Sequence, residues 1–556
     1  MMAKHPTSTG RRHRSGQWHG RVTLAVLAMV AAARPMQGQR LSGAADIQSE
    51  AYGVQGRNAR RPGLLARTTL SPVFDLWGLQ VGATLTYDTE DRFSARSLNR
   101  YALAPRWSWG QMWLGDHAPN LGAVALDGAV VRGAGLSLTP GRWRIKLHGG
   151  RADDAVFTDP LGFGTVDDRR FNTAGQFTTR RGIGAALLGF GTEARHLELL
   201  GVWAGDARDV PATAPVAPQQ NVVGGVRGAF EWRPGWRVRG TWHGAIHTRD
   251  LRDSVVDASY ADAVGPVGRA LDALIPLRAS TRGDVAYSFE AEAPHPFGTW
   301  RVKAEQIGAG YVALGIPSLP NNWRNVEGGG TVVALGGRAT LSGMAGIRRD
   351  GLVDPGAGPT DRLTGMLAGN LQATEAFSLA FSGQLNRLER RAVVDTFGLV
   401  NVARAAALAP RWQRGQGGAA IGLTAAYTES ETRPGILAPF GSRAVNLGLT
   451  YDQPLGPRWT LSVAPSLVTA GDTTEMERLL TASATLTWRP ERRSMGATLA
   501  LSGGQSLVGE NVQLQASWRS ELGPIGALTA RLRAAAFMGA VTFRETQATL
   551  GLSRSW

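Results

Sequence analysis

Residues 236–247 read Trp-Arg-Val-Arg-Gly-Thr-Trp-His-Gly-Ala-Ile-His, and their alternation decides the fold. Trp236, Val238, Gly240, Trp242, Gly244 and Ile246 occupy one set of alternate positions. Arg237, Arg239, Thr241, His243 and His247 occupy the other, with Ala245 as the one apolar exception. Side chains of a strand point alternately to opposite faces, so this segment reads as a strand with one apolar and one polar face. The same pattern recurs along the chain. Trp143, Ile145 and Leu147 interleave with Arg142, Arg144, Lys146 and His148. Phe377, Leu379, Phe381 and Leu385 interleave with Ser378, Ser382, Gln384 and Asn386. Trp459, Leu461 and Val463 alternate with Arg458, Thr460 and Ser462, and Val512, Leu514 and Trp518 with Asn511, Gln513 and Ser517.

Some two dozen such segments with scarcely a helix between them make an all-β chain. A soluble sandwich or propeller also alternates, so the connections have to separate these folds. Tight turns fall at 139–141, 233–235, 294–298, 374–376, 453–457, 489–492 and 521–524. Between them lie longer connections, among them 151–180, 205–220, 248–283, 309–328, 349–362, 389–398, 429–442 and 469–477. A two-beat rhythm of short and long connections belongs to a single large transmembrane antiparallel barrel, with short periplasmic turns and long extracellular loops.

Tryptophan follows the same rhythm. Trp143, Trp236, Trp300 and Trp459 begin strands just after short turns; Trp232, Trp412, Trp488 and Trp518 end strands just before them; Trp556 is the last residue. Nine of the 17 tryptophans thus map to one rim, in the outward register. Indole settles at a lipid–water interface, so this set reads as a membrane-interface girdle. High strand propensity alone does not explain clustering beside one class of turn.

The last eleven residues place Ala548, Leu550, Leu552 and Trp556 on one face and stop at the aromatic. This resembles the C-terminal assembly signal of Gram-negative outer-membrane β-barrel proteins, although Arg554 stands where that family carries an apolar or aromatic residue. The resemblance implies a porin-like barrel in the outer membrane. Its implied surroundings are outer-membrane lipid and lipopolysaccharide, with the barrel-assembly machinery as a partner. Oligomeric state is left open.

The first residues fit that destination. Lys4, Arg11, Arg12, Arg14 and Arg21 precede an apolar run, Val22 to Ala33, too short to span a bilayer but of signal-peptide length. Residues 1–33 therefore read as a signal peptide cleaved near Ala33 or Gly38, with 34–61 a short periplasmic segment and 62–556 the barrel. The chain carries a net charge of +16, and removing the five leader cations leaves +11. An exported chain does not meet cytoplasmic DNA, so this excess is weak evidence for nucleic-acid binding and none is expected. No cysteine occurs, which removes disulfide scaffolds, thiol catalysis and Cys-rich zinc sites. Glycine, at 72 of 556 residues, is nearly double its usual share of roughly 7%. A curved wall in close contact with lipid accounts for that excess. Counting segments gives about 24 strands, within a range of 22–26, because bacterial single-chain barrels have even numbers. The connection 88–101 is too long for the short-turn side on this count.

The polar register faces a lumen. Arg142, Arg144, Lys146, Arg237, Arg239, Arg301, Lys303, Arg531 and Arg533 share it and form a basic belt near the periplasmic turns. Two readings compete. Free cations would bias permeation toward anions; cations paired with carboxylates such as Glu231, Glu290 and Glu305 would stiffen the wall. Residues 248–283 include Pro266, Val267, Leu271, Leu274 and Ile275, a segment able to fold into the mouth or cap the outer surface. Acidic loop positions such as Asp153, Asp154, Asp350 and Asp361 read as solvated surface rather than a cation site.

No catalytic, cofactor or metal site is expected. His243 and His247 lie about 13 Å apart along a strand, too far to chelate one ion, and no nucleophile elbow or zinc-protease motif occurs. The sequence Leu501-Ser502-Gly503-Gly504-Gln505 copies the signature of ATP-binding cassette proteins without any accompanying phosphate loop. Only about 25–40 residues precede the first expected strand, too few for the plug domain of TonB-dependent transporters. The expected function is a passive or loop-gated channel for small polar solutes, anions among them. A structural, assembly or secretion-associated barrel whose loops bind a partner or surface polymer is the alternative. A rim-located hydrolase is the remotest reading.

Overall fold

The computed structural model describes residues 39–556 apart from 60–61, 90–98, 154–155, 158–176, 209–215, 257–274, 317, 354–357, 392–397, 416, 436–437, 473–475, 490–494, 507–508 and 540–541. Twenty-six strands join, each beside its chain neighbours, into one antiparallel sheet. The first, β1 (Gln39–Gln55), pairs with the last, β28 (Phe543–Ser555), and closes the sheet into a barrel. Closure leaves no open edge, which is the condition for a sheet to sit in hydrocarbon where water cannot satisfy its backbone. Two further strands, β8 (Val156–Phe157) and β9 (Phe177–Thr178), form a small separate ladder after β7 (Trp143–Asp153).

The ladder registers sort the two faces. One rung runs through Leu341, Gly369, Phe381, Leu408, Ala425 and Leu447. Its leucines 341, 408 and 447 are 41%, 46% and 51% exposed. The adjacent rung on the opposite face runs through Ser342, Ala368, Ser382, Ala407, Ala426 and Asn446. A continuous exposed apolar belt of this kind is a liability in water and a fit in a bilayer. The molecule is an outer-membrane β-barrel: many-stranded, closed, antiparallel, apolar outside and polar within.

The barrel's 26 strands lie within the expected range of 22–26. Two details differ from expectation. Part of the segment expected as a periplasmic lead, residues 34–61, is β1 itself. Besides Leu41 and Ile47, its outward positions Gly43, Ala45, Ser49, Ala51 and Gly53 are small or polar, so its alternation is faint in sequence. Strands β4 (Arg100–Trp107) and β5 (Gly110–His117) are eight residues each, joined by Ser108 and Trp109, and shorter than the segments of about ten that periodicity picks out. With β1 counted, the connection after β3 (Leu79–Asp88) falls on the long-loop side, which removes the anomaly at 88–101. The proposed leader, residues 1–33, lies outside the described residues.

Candidate pore-lining site

Among the described residues, two connections on the long-loop side fold inward. Residues 118–130 join β5 to β6 (Val131–Leu138), and residues 308–322 join β15 (Gly298–Ile307) to β16 (Trp323–Ala334). Leu121, Ala125 and Leu126 of the first are fully buried, as is Tyr311 of the second. They pack on Ile183 and Leu187 of β10 (Arg181–Gly191), Leu200 and Val202 of β11 (Arg195–Asp206), and Val223 of β12 (Gln220–Arg233). These wall residues alternate with Leu188, Phe190, Leu197 and Leu199, which are 50%, 51%, 60% and 55% exposed. The loops therefore cover the face opposite the lipid belt, inside the barrel.

Their composition explains the burial. Residues 118–130 contain one charge, Asp127, and residues 308–322 contain none. A solvated loop is rarely so apolar, and burying Leu121, Leu126 and Tyr311 together stabilises the inward position. Each loop is also pinned by the wall. Arg227 donates from Nη1 to Leu121 O at 3.0 Å, and Lys146 from Nζ to Asn120 O at 3.3 Å. Asn221 donates to Ile246 O at 2.9 Å and Val312 O at 2.8 Å, while Leu314 N donates to its Oδ1 at 3.2 Å. The loops are joined to each other where Tyr311 OH donates to Val124 O at 2.8 Å. Burial pushes the Tyr311 phenol above its ordinary pKa, so it remains a donor.

Beneath the loops lies a buried ion cluster. Glu198, 1% exposed, accepts from Arg144 Nε at 2.5 Å and from Arg227 Nε. Arg144 reaches it across β10 because Gly189 stands between them: a Cβ there would meet Glu198 Cγ at 2.5 Å. A second glycine window, Gly135, lets His117 Nε2 and His148 Nδ1 approach to 3.2 Å across β6. His117 Nδ1 lies 3.1 Å from Gly115 O, so it donates there and its Nε2 accepts from His148.

The basic belt is largely paired. Besides Arg144, Arg237 pairs with Glu231 at 2.8 Å, Arg239 with Glu290 at 2.9 Å, Arg301 with Glu290 at 3.1 Å, and Lys303 with Glu305 at 2.6 Å. Arg142 lies in the turn before β7, and its carbonyl accepts from Gly191 N. Arg531 and Arg533, on β27 (Ala527–Gly539), are exposed, and Arg533 donates to Gln513 Oε1 at 3.0 Å. Neither has a carboxylate partner among the described residues. They face the part of the lumen that the described loops leave uncovered, whose wall is rich in small neutral residues such as Ser382, Gln384, Thr424 and Thr428.

The nine tryptophans stand at short-turn ends, Trp459 opposite Trp488 with rings 6.0 Å apart, and Trp232 5.8 Å from Trp236. Sequence reading missed Trp77, Trp107 and Trp109 on the same rim, although each adjoins a short turn; Trp77 is 81% exposed. Ala548, Leu550 and Leu552 lie on β28, and Trp556 exchanges both backbone hydrogen bonds with Gly43. Of the expected mouth segment, Pro266, Val267, Leu271 and Leu274 lie outside the described residues, as do Asp154 and the side chain of Asp153; Ile275 is buried. Asp350 and Asp361 pair with Arg348 and Arg349. Leu501 to Gln505 lies within a wall strand (Met495–Ser506).

No protein-family model and no curated protein sequence matches the chain. Among solved structures, the siderophore receptor PirA from Pseudomonas aeruginosa is similar at 9% identity and a TM-score of 0.38, covering 94% of this chain and 81% of that one. The alcaligin outer-membrane receptor FauA from Bordetella pertussis is similar at 7% identity and a TM-score of 0.37, covering 94% and 77%. OccAB3 of Acinetobacter baumannii is similar at 10% identity and a TM-score of 0.28, covering 67% and 99%.

Proposed function

We propose that this barrel is a passive channel for small polar solutes, narrowed on one side by the two inward loops. The carrying observation is the asymmetry of the lumen. Between β5 and β16 the wall is covered by a packed, hydrogen-bonded shelf, whereas the described remaining arc keeps a lining rich in small polar side chains. Permeation runs along that open arc. Pairing of the belt with carboxylates limits charge selectivity, and Arg531 and Arg533 supply a mild preference for anions. The rim tryptophans set the barrel's height in the bilayer, and Ala548, Leu550, Leu552 and Trp556 present the end read by the assembly machinery. Export follows from a leader at residues 1–33. The channel performs no chemistry, which lipase and protease assays on refolded protein check.

The test is single-channel recording in a planar bilayer. Stepwise current is expected, with a reversal potential in a salt gradient that favours anions slightly. Replacing Arg531→Gln and Arg533→Gln together should move that potential toward zero. Absence of any stepwise current would overturn the channel reading and leave a partner-binding barrel in its place.

A further inference from the structure

The outer face carries arginine where the lipid-facing belt ends on the long-loop side, concentrated on seven consecutive strands. These are β16, β17 (Ala339–Asp350), β18 (Thr360–Gln372), β19 (Phe377–Arg390), β20 (Leu399–Gln413), β21 (Ala420–Pro434) and β22 (Phe440–Pro454). One rung sets Arg324 opposite Arg349, Arg349 opposite Asp361, and Asp361 opposite Glu389. Further round, Arg404 is opposite Glu429 and Glu429 opposite Arg443. This is the lipid-facing register: the next rung down from Arg324 and Arg349 is Val326 and Ile347, 55% and 63% exposed.

The charges are layered. Asp361 pairs with Arg349 at 2.5 Å and lies 3.9 Å from Arg391; Glu389 holds Arg387 at 3.0 Å and Arg391 at 3.2 Å. Glu429 lies 3.7 Å from Arg404 and 3.0 Å from Arg443, and Glu431 holds Arg433 at 2.7 Å. The acid side chains of Asp361, Glu389 and Glu429 are only 22%, 29% and 20% exposed, whereas Arg391, Arg404 and Arg433 are 64%, 63% and 66% exposed. Seven arginines over four carboxylates leave the patch at +3. Carboxylates underneath fix the guanidinium groups and leave unused donors pointing outward. Guanidinium forks match phosphate oxygens, and this patch lies at the depth where apolar wall gives way to headgroups.

We propose that this patch binds the phosphate groups of a phosphorylated lipid of the outer leaflet, its acyl chains lying on the apolar wall below. The probe is bisphosphorylated lipid A titrated onto the refolded full chain and followed by native mass spectrometry. The triple variant Arg391→Gln, Arg404→Gln, Arg443→Gln should bind about tenfold more weakly, the loss expected for several charge-assisted bonds. The control triple Arg151→Gln, Arg478→Gln, Arg544→Gln removes equal charge elsewhere on this rim and should bind like wild type. Dephosphorylated lipid should bind wild type about tenfold more weakly for the same reason. Arg404→Lys alone keeps charge, loses the fork and should weaken binding measurably, which serves if the triple variant does not fold. Equal binding by the variants, an equal loss in the control, or inorganic phosphate alone binding as tightly would each overturn the proposal.

Discussion

Glu198 is the residue on which the covered side of the lumen turns. One carboxylate, almost fully buried, holds Arg144 and Arg227, and Arg227 in turn holds the backbone of Leu121. Breaking a buried ion pair by removing one partner costs about 3–5 kcal/mol, because the remaining charges stay buried. Glu198→Ala should therefore release residues 118–130 to protease cleavage and lower the denaturation midpoint of the barrel. Gly189→Val should mimic it by filling the window through which Arg144 reaches the carboxylate. A variant as protease-resistant as wild type would show that apolar packing alone holds the loop. None of this was legible beforehand, since Glu198 sits in a strand reading His-Leu-Glu-Leu-Leu and looks like one more polar alternate. Its partners lie 29 and 54 residues away in sequence and meet it only through strand register. The tryptophan rim, by contrast, was legible, because a short turn and its flanking residues are contiguous in the chain.

At the scale of elements, the strands announced themselves and the inward loops did not. Periodicity detects a strand when both faces have distinct chemistry. β1 fails that condition on its outward face, and β4 and β5 are too short to show it. The inward loops did carry a signal of a different kind: between them, residues 118–130 and 308–322 hold a single charged side chain. Absence of charge is the guide to these loops, because a loop that stays in water has no reason to be apolar. Replacing 308–322 by a short turn should remove the Tyr311 and Asn221 contacts and raise single-channel conductance severalfold. Tyr311→Phe deletes one hydrogen bond worth about 1 kcal/mol and should show as added gating noise without a new conductance level. Unchanged conductance on excising the loop would mean that the constriction lies elsewhere.

Across the whole molecule, the seam between β1 and β28 closes the ring, and Gly43 packs tightly at the end of it held by Trp556. A Cβ at this position would lie 2.6 Å from Ser71 O and 2.9 Å from the Trp556 ring. Gly43→Val should leave the sheet unable to close, seen as loss of the compact, heat-sensitive band on gels run without boiling. The seam joins residues about 500 apart in sequence, whereas the shelf joins loops whose contact residues Val124 and Tyr311 are 187 apart. Contacts of smaller separation cost less chain entropy to form. The shelf is thus cheaper to build than the seam, and its parts already lie on one continuous run of paired strands. This gives the barrel an order in time: its interior is furnished while the sheet is still an open curve, and the wall shuts afterwards around a finished lining. A chain stalled at Gly43→Val should accordingly protect the amides of 118–130 from hydrogen exchange while those of β1 and β28 remain open.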